Sequence, residues 1–196
     1  AEHSPGVETM TGSLAQALSQ AMGIALARRL KKDTGRIWVF MSDGELQEGQ
    51  TWEAVQALSF HKVDNIAVFI DANGQQVDGA MKDVMNIEPL AGRLESFGAR
   101  VFEVDGHDIE ALYQPTTLKP NGRPLFVIAR TDPARGIPIL QERSPLLHTL
   151  RFKSQDERKR RFLQLADLGF RNRLPPVAFL ANGLTITIDT NITVAS

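Results

Sequence analysis

Two polar turns follow two apolar runs in this sequence, and they carry the residues best suited to chemistry. Asp43 follows the run Ile37-Trp38-Val39-Phe40-Met41 after one serine, and Asn73 lies shortly after the run Ile66-Ala67-Val68-Phe69-Ile70. Both runs predict buried strands, because β-branched and aromatic residues dominate them. In an open parallel sheet ligands bind at the carboxyl ends of the strands, so we expect Asp43 and Asn73 to meet there. Their side-chain oxygens are hard donors that suit Mg²⁺ or Ca²⁺ bridging to a diphosphate.

Glycines and a predicted helix start support an anion site at the first of these turns. Gly44 follows Asp43 directly, and Gly49 comes five residues later in the same polar stretch. Backbone without a side chain can approach a phosphate closely. A helix is expected over 48–62, and the unpaired amides of its first turn would face the same place. The stretch therefore predicts a diphosphate-binding turn.

The composition favours one folded core and argues against several partner classes. The chain has 196 residues, of which 42% are hydrophobic and 23% are charged, with a formal net charge of −1. This near-neutral balance gives no case for nucleic acid binding. The sequence contains no cysteine, which excludes disulfides and thiolate metal sites within it and suits the cytoplasm, where we expect the protein. No apolar run approaches the roughly 20 residues of a membrane span, so we expect no membrane partner.

Helices and strands alternate along the first 130 residues. Apolar residues recur at helical spacing from Leu14 to Leu30, with Thr11 and Ser13 as predicted N-caps. Strands are predicted at 36–41, 65–70, 99–104 and 124–129, and further helices at 48–62, 88–97 and 108–113. This order predicts an α/β fold in which helices cover both faces of a parallel sheet.

The pattern changes beyond Leu150, so we expect a domain over residues 1–150 and an extension over 151–196. A helix is predicted from Ser154 to Leu168, and its basic run at 158–161 is interpreted as a solvated face. A strand is predicted at 184–188. That strand either adds to the sheet edge of another chain or forms an edge strand within its own chain.

The two turns resemble the thiamine diphosphate-binding motif of the transketolase family, in which a Gly-Asp-Gly turn precedes an Asn by about thirty residues. Asp43 and Asn73 fit that spacing. Other stretches that resemble the family, in order, are 5–14, 45–54, 104–108 and 136–148. The likeness is greatest to the amino-terminal halves of transketolases whose two halves are separate polypeptides. In the family a first strand–helix unit comes earlier, and we expect this chain to lack it.

The resemblance implies a site residue by residue. It implies that Mg²⁺, or alternatively Ca²⁺, is held by Asp43, by the Asn73 side chain and by the backbone carbonyl of Gln75. The residues implied to bind thiamine diphosphate are Gly12, Leu14, Ser42, Gly44, Glu45, Asn73 and His148. Catalytic roles fall on His148, as a phosphate donor or proton relay, and on Glu48, in a proton path between two cofactor sites. Glu48 is equally interpreted as a first-turn acid that complements the helix dipole.

The activity implied by the resemblance is transfer of a two-carbon ketol unit between sugar phosphates. In the family, the acid that activates the cofactor belongs to a pyrimidine-binding domain, which we expect this chain to lack. We therefore expect a separate subunit to supply that domain, in a symmetric heterotetramer of two pairs. The chain alone is then expected to be inactive.

Two departures from the family keep other functions open. Ser42 stands where the family has the first glycine of Gly-Asp-Gly, and Ala15 stands where it has a glycine beside the aminopyrimidine of the cofactor. One alternative is a non-catalytic subunit that keeps the fold. Another is a different thiamine diphosphate enzyme, a pentulose-phosphate synthase or a 2-oxo acid dehydrogenase component. A third is a Mg²⁺–nucleotide binder, although the sequence has no Walker-type loop.

Overall fold

The computed structural model describes residues 6–9, 11–142, 144, 147, 154–157 and 185–188. Its α-helices are α1 (Gln16–Lys31), α2 (Gly49–Phe60), α3 (Met81–Val84), α4 (Leu90–Ser96), α5 (Ile109–Tyr113) and α6 (Pro138–Gln141), with 3-10 helices at Asp43–Gln47 and Gln114–Thr117. Its strands are β1 (Ile37–Ser42), β2 (Ile66–Ala72), β3 (Gln75–Gln76), β4 (Gly79–Ala80), β5 (Arg100–Asp105), β6 (Leu125–Arg130) and β7 (Thr185–Ile188). None of the helices within these described ranges is both long enough and apolar enough to cross a membrane.

The described strands form one main sheet and a small hairpin. The sheet has the order β5-β6-β2-β1-β7, and β3 pairs with β4. β1, β2, β6 and β5 run parallel, whereas β7 pairs antiparallel with the outer edge of β1. The α/β prediction is confirmed, with the correction that the sheet carries one antiparallel edge strand. The strand predicted at 184–188 thus pairs within its own chain.

Helices cover the two faces of the sheet unequally. On one face, α1, α2 and α4 pack over alternate residues of the central strands, including Val39, Val68 and Ile128. On the other face, Leu112 of α5 packs with aromatic residues over the buried Val127. Full burial of an aliphatic side chain is worth about 1.5–3 kcal/mol, so the first face contributes most of the packing free energy that fixes the strands.

The starts of α1 and α2 differ from the sequence predictions in ways that concern the predicted site. The N-caps predicted at Thr11 and Ser13 are wrong, because α1 begins at Gln16 after Ala15, which makes no side-chain cap. Helix α2 begins at Gly49, so Glu48 is its N-cap residue and not a member of its first turn.

Of the predicted 151–196 extension, residues 155–157 are helical and 185–188 form β7; the rest, apart from Ser154, lies outside the described residues.

Candidate functional site

The turns after β1 and β2 contact each other at the carboxyl edge of the sheet. The two strands pair in parallel up to Ser42 and Asp71, so their turns begin side by side. The Gly74 amide donates a hydrogen bond to Asp43 Oδ2 at 2.8 Å. Within the second turn, Asn73 Oδ1 accepts a hydrogen bond from the Gln75 amide at 2.8 Å. The fold thereby gathers the three predicted metal ligands, Asp43, Asn73 and Gln75, into one pair of turns.

Asp43 is a buried carboxylate with one oxygen left without a partner. The residue is 4% exposed, and Oδ1 is buried without any hydrogen bond. Burial raises the pKa of the Asp43 carboxyl to about 6; the hydrogen bond from Gly74 opposes this rise, and the nearby charge of Asp71 adds to it. A buried polar atom without a partner is uncommon and often marks the place of an ion or water. A cation beside Oδ1 would satisfy it.

Glu45 holds the first turn against the start of α1. Its side chain is 1% exposed, and its two oxygens accept hydrogen bonds from the Ser42 and Ala15 amides, both at 3.1 Å. The Thr51 hydroxyl donates to the Glu45 carbonyl at 2.6 Å. Burial raises the pKa of Glu45, and the two amide bonds counteract that rise. Both oxygens of this predicted cofactor residue are therefore engaged in positioning the Asp43 turn.

The Ala15 backbone has a left-handed conformation, with φ of 67°, and the residue is 1% exposed. An L-residue with a Cβ atom is disfavoured in that region, where glycine is at ease. The family that this chain resembles has a glycine at the position of Ala15. The left-handed backbone gives a conformational reason for that glycine. Gly12 and Leu14, predicted to bind the cofactor, are exposed in the segment that leads to Ala15.

The β3–β4 hairpin covers the Gly44 side of the site. A Cβ built on Gly44 would lie 3.7 Å from both Gln76 Nε2 and Ser42 Oγ, which is ordinary contact. Gln76 Nε2 donates to Gln47 Oε1, and Gln47 Nε2 donates to the Met85 carbonyl at 2.9 Å. The two glutamines therefore join the Asp43 turn to the hairpin. Gly44 and Ser42, both predicted cofactor residues, lie at this junction.

Of the two predicted catalytic residues, the structure describes Glu48 but not His148. Glu48 is exposed at the start of α2, in extended conformation, and its side chain makes no capping hydrogen bond. His148 lies outside the described residues. A histidine elsewhere at the sheet edge, His107, accepts a hydrogen bond at Nε2 from the Asp132 backbone amide at 2.8 Å.

Sequence reasoning assigned no role to three residues that build the site, namely Gly74, Asp71 and Thr131. The Asp71 carboxylate accepts hydrogen bonds from Asn73 Nδ2 at 3.0 Å and from the Thr131 hydroxyl. Asp71 lies at the end of β2, and Thr131 follows β6, the strand beside it. The signal that could have identified Asp71 and Thr131 is a polar residue at the end of each of two adjacent parallel strands.

The candidate oxygen ligands of the two turns fit a hard divalent cation. All of them except the carboxylate of Asp43 are neutral. In the part of the chain that the structure describes, no three His, Asp or Glu side chains converge on a metal position. Asp43 Oδ1, the Asn73 amide oxygen and a backbone carbonyl of the same turn provide oxygen donors of the type Mg²⁺ and Ca²⁺ accept. The unpaired Oδ1 of buried Asp43 is the specific feature that fits a cation.

Comparison with known proteins gives a consistent set of relatives. Residues 1–161 match the family model described as the transketolase, thiamine diphosphate binding domain. The chain is 37% identical over 145 residues to one of the subunits of an apulose-4-phosphate transketolase from Actinobacillus succinogenes, covering 74% of this chain and 52% of that protein. It is 32% identical over 133 residues to a 6-deoxy-6-sulfo-D-fructose transketolase subunit of Clostridium sp. strain MSTE9, covering 67% of this chain and 48% of that protein. It thus spans about half the length of these curated relatives.

The solved structures agree. A transketolase mutant from Pichia stipitis superposes with a TM-score of 0.60 and 29% identity, over 65% of this chain and 21% of that chain. The predicted family resemblance is confirmed by the match to the family model. This chain therefore belongs to the transketolase family, and its residues 1–161 match that family's thiamine diphosphate-binding domain.

Proposed function

We propose that this chain is the diphosphate- and Mg²⁺-binding subunit of a split transketolase that transfers a two-carbon ketol unit between sugar phosphates. The observation that carries the proposal is the buried Asp43 Oδ1, which has no hydrogen-bond partner at the carboxyl edge of the sheet. A divalent cation bridging to a diphosphate would neutralise that carboxylate. Family membership supports thiamine diphosphate as the carrier of the diphosphate.

Four residues of the two turns have direct parts in this proposal. Asp43, the Asn73 amide oxygen and the Gln75 carbonyl would hold Mg²⁺, with Ca²⁺ as a substitute. The Gly44 amide would donate to the diphosphate, since glycine itself adds no side chain beside that amide. When bound, thiamine diphosphate would supply the electron sink that carbon–carbon cleavage next to a carbonyl requires. The chain itself would bind and orient the diphosphate, and the cation that it holds would offset the charge of the diphosphate.

The partner in this proposal is a separate subunit with the pyrimidine-binding domain. Support comes from the relatives named as transketolase subunits, each about twice as long as the part that this chain matches. Glu48 is exposed at the start of α2 and is available to a partner's cofactor site. His148 is proposed to contact phosphate or to relay a proton. Two such pairs would form a symmetric heterotetramer in the cytoplasm.

A non-catalytic subunit is the second candidate, and one observation favours it. Ala15 keeps a left-handed backbone but carries a methyl group where the family has glycine. In the family the aminopyrimidine approaches this backbone, so the methyl group would displace the ring. A displacement of about 1 Å can reduce catalysis about a hundredfold.

Reconstitution distinguishes these two functions. The chain is mixed with its cognate pyrimidine-domain subunit, thiamine diphosphate, Mg²⁺, a ketose phosphate and an aldose phosphate, and both sugar products are quantified by mass spectrometry. The proposal predicts turnover that requires both chains and is lost in Asp43→Ala but kept in Asp33→Ala, an exposed control. Unchanged turnover in Asp43→Ala would contradict it. Mg²⁺-dependent cofactor binding without turnover would favour the non-catalytic subunit.

A further inference from the structure

The Asp71 carboxylate links a predicted metal ligand to the neighbouring strand. Its Oδ2 accepts a hydrogen bond from Asn73 Nδ2 at 3.0 Å, and its Oδ1 accepts one from the Thr131 hydroxyl. The backbone reinforces this link, because the Thr131 amide donates to the Ala72 carbonyl at 3.4 Å. Thr131, Asp71 and Asn73 therefore form a connected row along the carboxyl edge of β6 and β2.

This row fixes which end of the Asn73 amide faces which neighbour. A primary amide has an oxygen and a nitrogen of similar size, and only the oxygen binds a cation. An ionised carboxylate accepts hydrogen bonds and donates none, so Asp71 selects the nitrogen. The backbone N–H of Gln75 can only donate, so it selects the oxygen of the Asn73 side chain, to which it donates at 2.8 Å. The oxygen is consequently held on the side of the Gly74–Gln75 turn, which is the turn bonded to Asp43.

We propose that Asp71, itself held by Thr131, is a positioning residue that presents the Asn73 oxygen, and not its nitrogen, to the divalent cation. This inference rests on the proposed function, because the cation is the one expected beside Asp43. Outer partners that orient a metal ligand typically change metal affinity by about 10–100-fold when they are removed. Asp71 would act through Asn73 and would not touch the cofactor.

The experiment is a titration of MgCl₂ into the full chain with its pyrimidine-domain subunit and a fixed concentration of thiamine diphosphate, read by calorimetry. Asp71→Ala should raise the Mg²⁺ concentration for half-saturation about 10–100-fold. Asp71→Asn retains an acceptor oxygen and should recover part of that loss. Thr131→Val removes only the supporting hydroxyl and should cause a smaller rise. Asp78→Ala, an exposed carboxylate in the β3–β4 turn, is the charge-matched control.

The outcomes separate this inference from the function on which it rests. Normal Mg²⁺ dependence in Asp71→Ala, or an equal loss in Asp78→Ala, would overturn the positioning role while the proposed function stands. Absence of Mg²⁺-dependent binding in the unaltered chain would overturn the proposed function instead. If Asp71→Ala does not fold, Asp71→Asn and Thr131→Val decide. In the cofactor-free chain, the Asn73 side-chain amide should exchange its protons faster in Thr131→Val, and an unchanged rate would contradict the row of contacts.

Discussion

Asp43 and Gly74 are joined by a 2.8 Å hydrogen bond, donated by the Gly74 amide to Asp43 Oδ2, across turns that lie 31 residues apart in sequence. The bond satisfies one carboxylate oxygen and leaves Oδ1 buried without a partner. A buried charge with an unsatisfied atom destabilises a folded chain. The cofactor-free protein is thus less stable than its packing allows, at the place where a cation is expected.

Replacing Asp43 with Asn should stabilise the cofactor-free chain while removing its response to Mg²⁺. The amide has nearly the shape of the carboxylate but no charge, so the folded state gains about 1–3 kcal/mol at neutral pH. Urea denaturation of the two proteins measures the difference. Asp33→Asn, on an exposed residue, should change the free energy of unfolding by less than about 0.5 kcal/mol. A destabilised Asp43→Asn protein would contradict this account.

The stability difference between Asp43→Asn and the unaltered chain should depend on pH in one direction. Burial raises the pKa of Asp43 from 3.8 to about 6, so the folded chain binds this proton more tightly than the unfolded chain. The cost of the charge is absent below about pH 4 and grows as pH rises through about 6. The advantage of Asp43→Asn should therefore be near zero at low pH and complete above about pH 7. Denaturation of both proteins across this pH range tests the prediction. A difference in the free energy of unfolding that does not change with pH would contradict the raised pKa of Asp43.

Ala15→Gly should stabilise the chain, although glycine usually destabilises. Ala15 has φ of 67°, and relief of that conformation outweighs the added entropy of glycine in the unfolded chain by about 0.5–1 kcal/mol. Ala27→Gly, in the exposed interior of α1, should instead lose about 0.5–1 kcal/mol. Thermal unfolding of both proteins measures the contrast. Equal losses in both would show that Ala15 is not left-handed.

Gly106→Ala should disturb the strand end that carries Thr131. A Cβ at Gly106 would collide with the Thr131 methyl group and lie 3.0 Å from the Arg130 carbonyl oxygen. Such overpacking costs about 1–3 kcal/mol. Gly23→Ala in α1, where a Cβ meets nothing within 4 Å, should gain about 0.5–1 kcal/mol. Chemical denaturation compares the pair, and a neutral Gly106→Ala would contradict the close packing.

The sequence was sufficient to predict the edge of the sheet at which the site lies. The runs ending at Met41 and Ile70 are continuous and apolar, which is typical of buried parallel strands, and their polar ends meet as that topology requires. Asp43 and Asn73 followed directly from this rule. The match of the turn to a known family pattern extended it to neighbouring residues.

Contacts between distant segments were not predictable from local pattern. Thr11 and Ser13 have the chemistry of N-caps, but α1 begins after Ala15, whose backbone amide donates to Glu45, thirty residues away in sequence. The alternating run at 184–188 predicted a strand but not its antiparallel partner β1. The pairing of Asp71 with Thr131 joins strand ends separated by 60 residues, and it follows only from the order of β2 and β6.

Calorimetric titration of thiamine diphosphate into this chain tests the central claim most directly. It is performed with the chain alone and with its pyrimidine-domain subunit, in Mg²⁺ and in EDTA, for the unaltered protein and for Asp43→Asn. We predict binding that requires Mg²⁺, tightens with the subunit and disappears in Asp43→Asn. Absence of binding to the folded pair, or binding that survives both EDTA and Asp43→Asn, would contradict it.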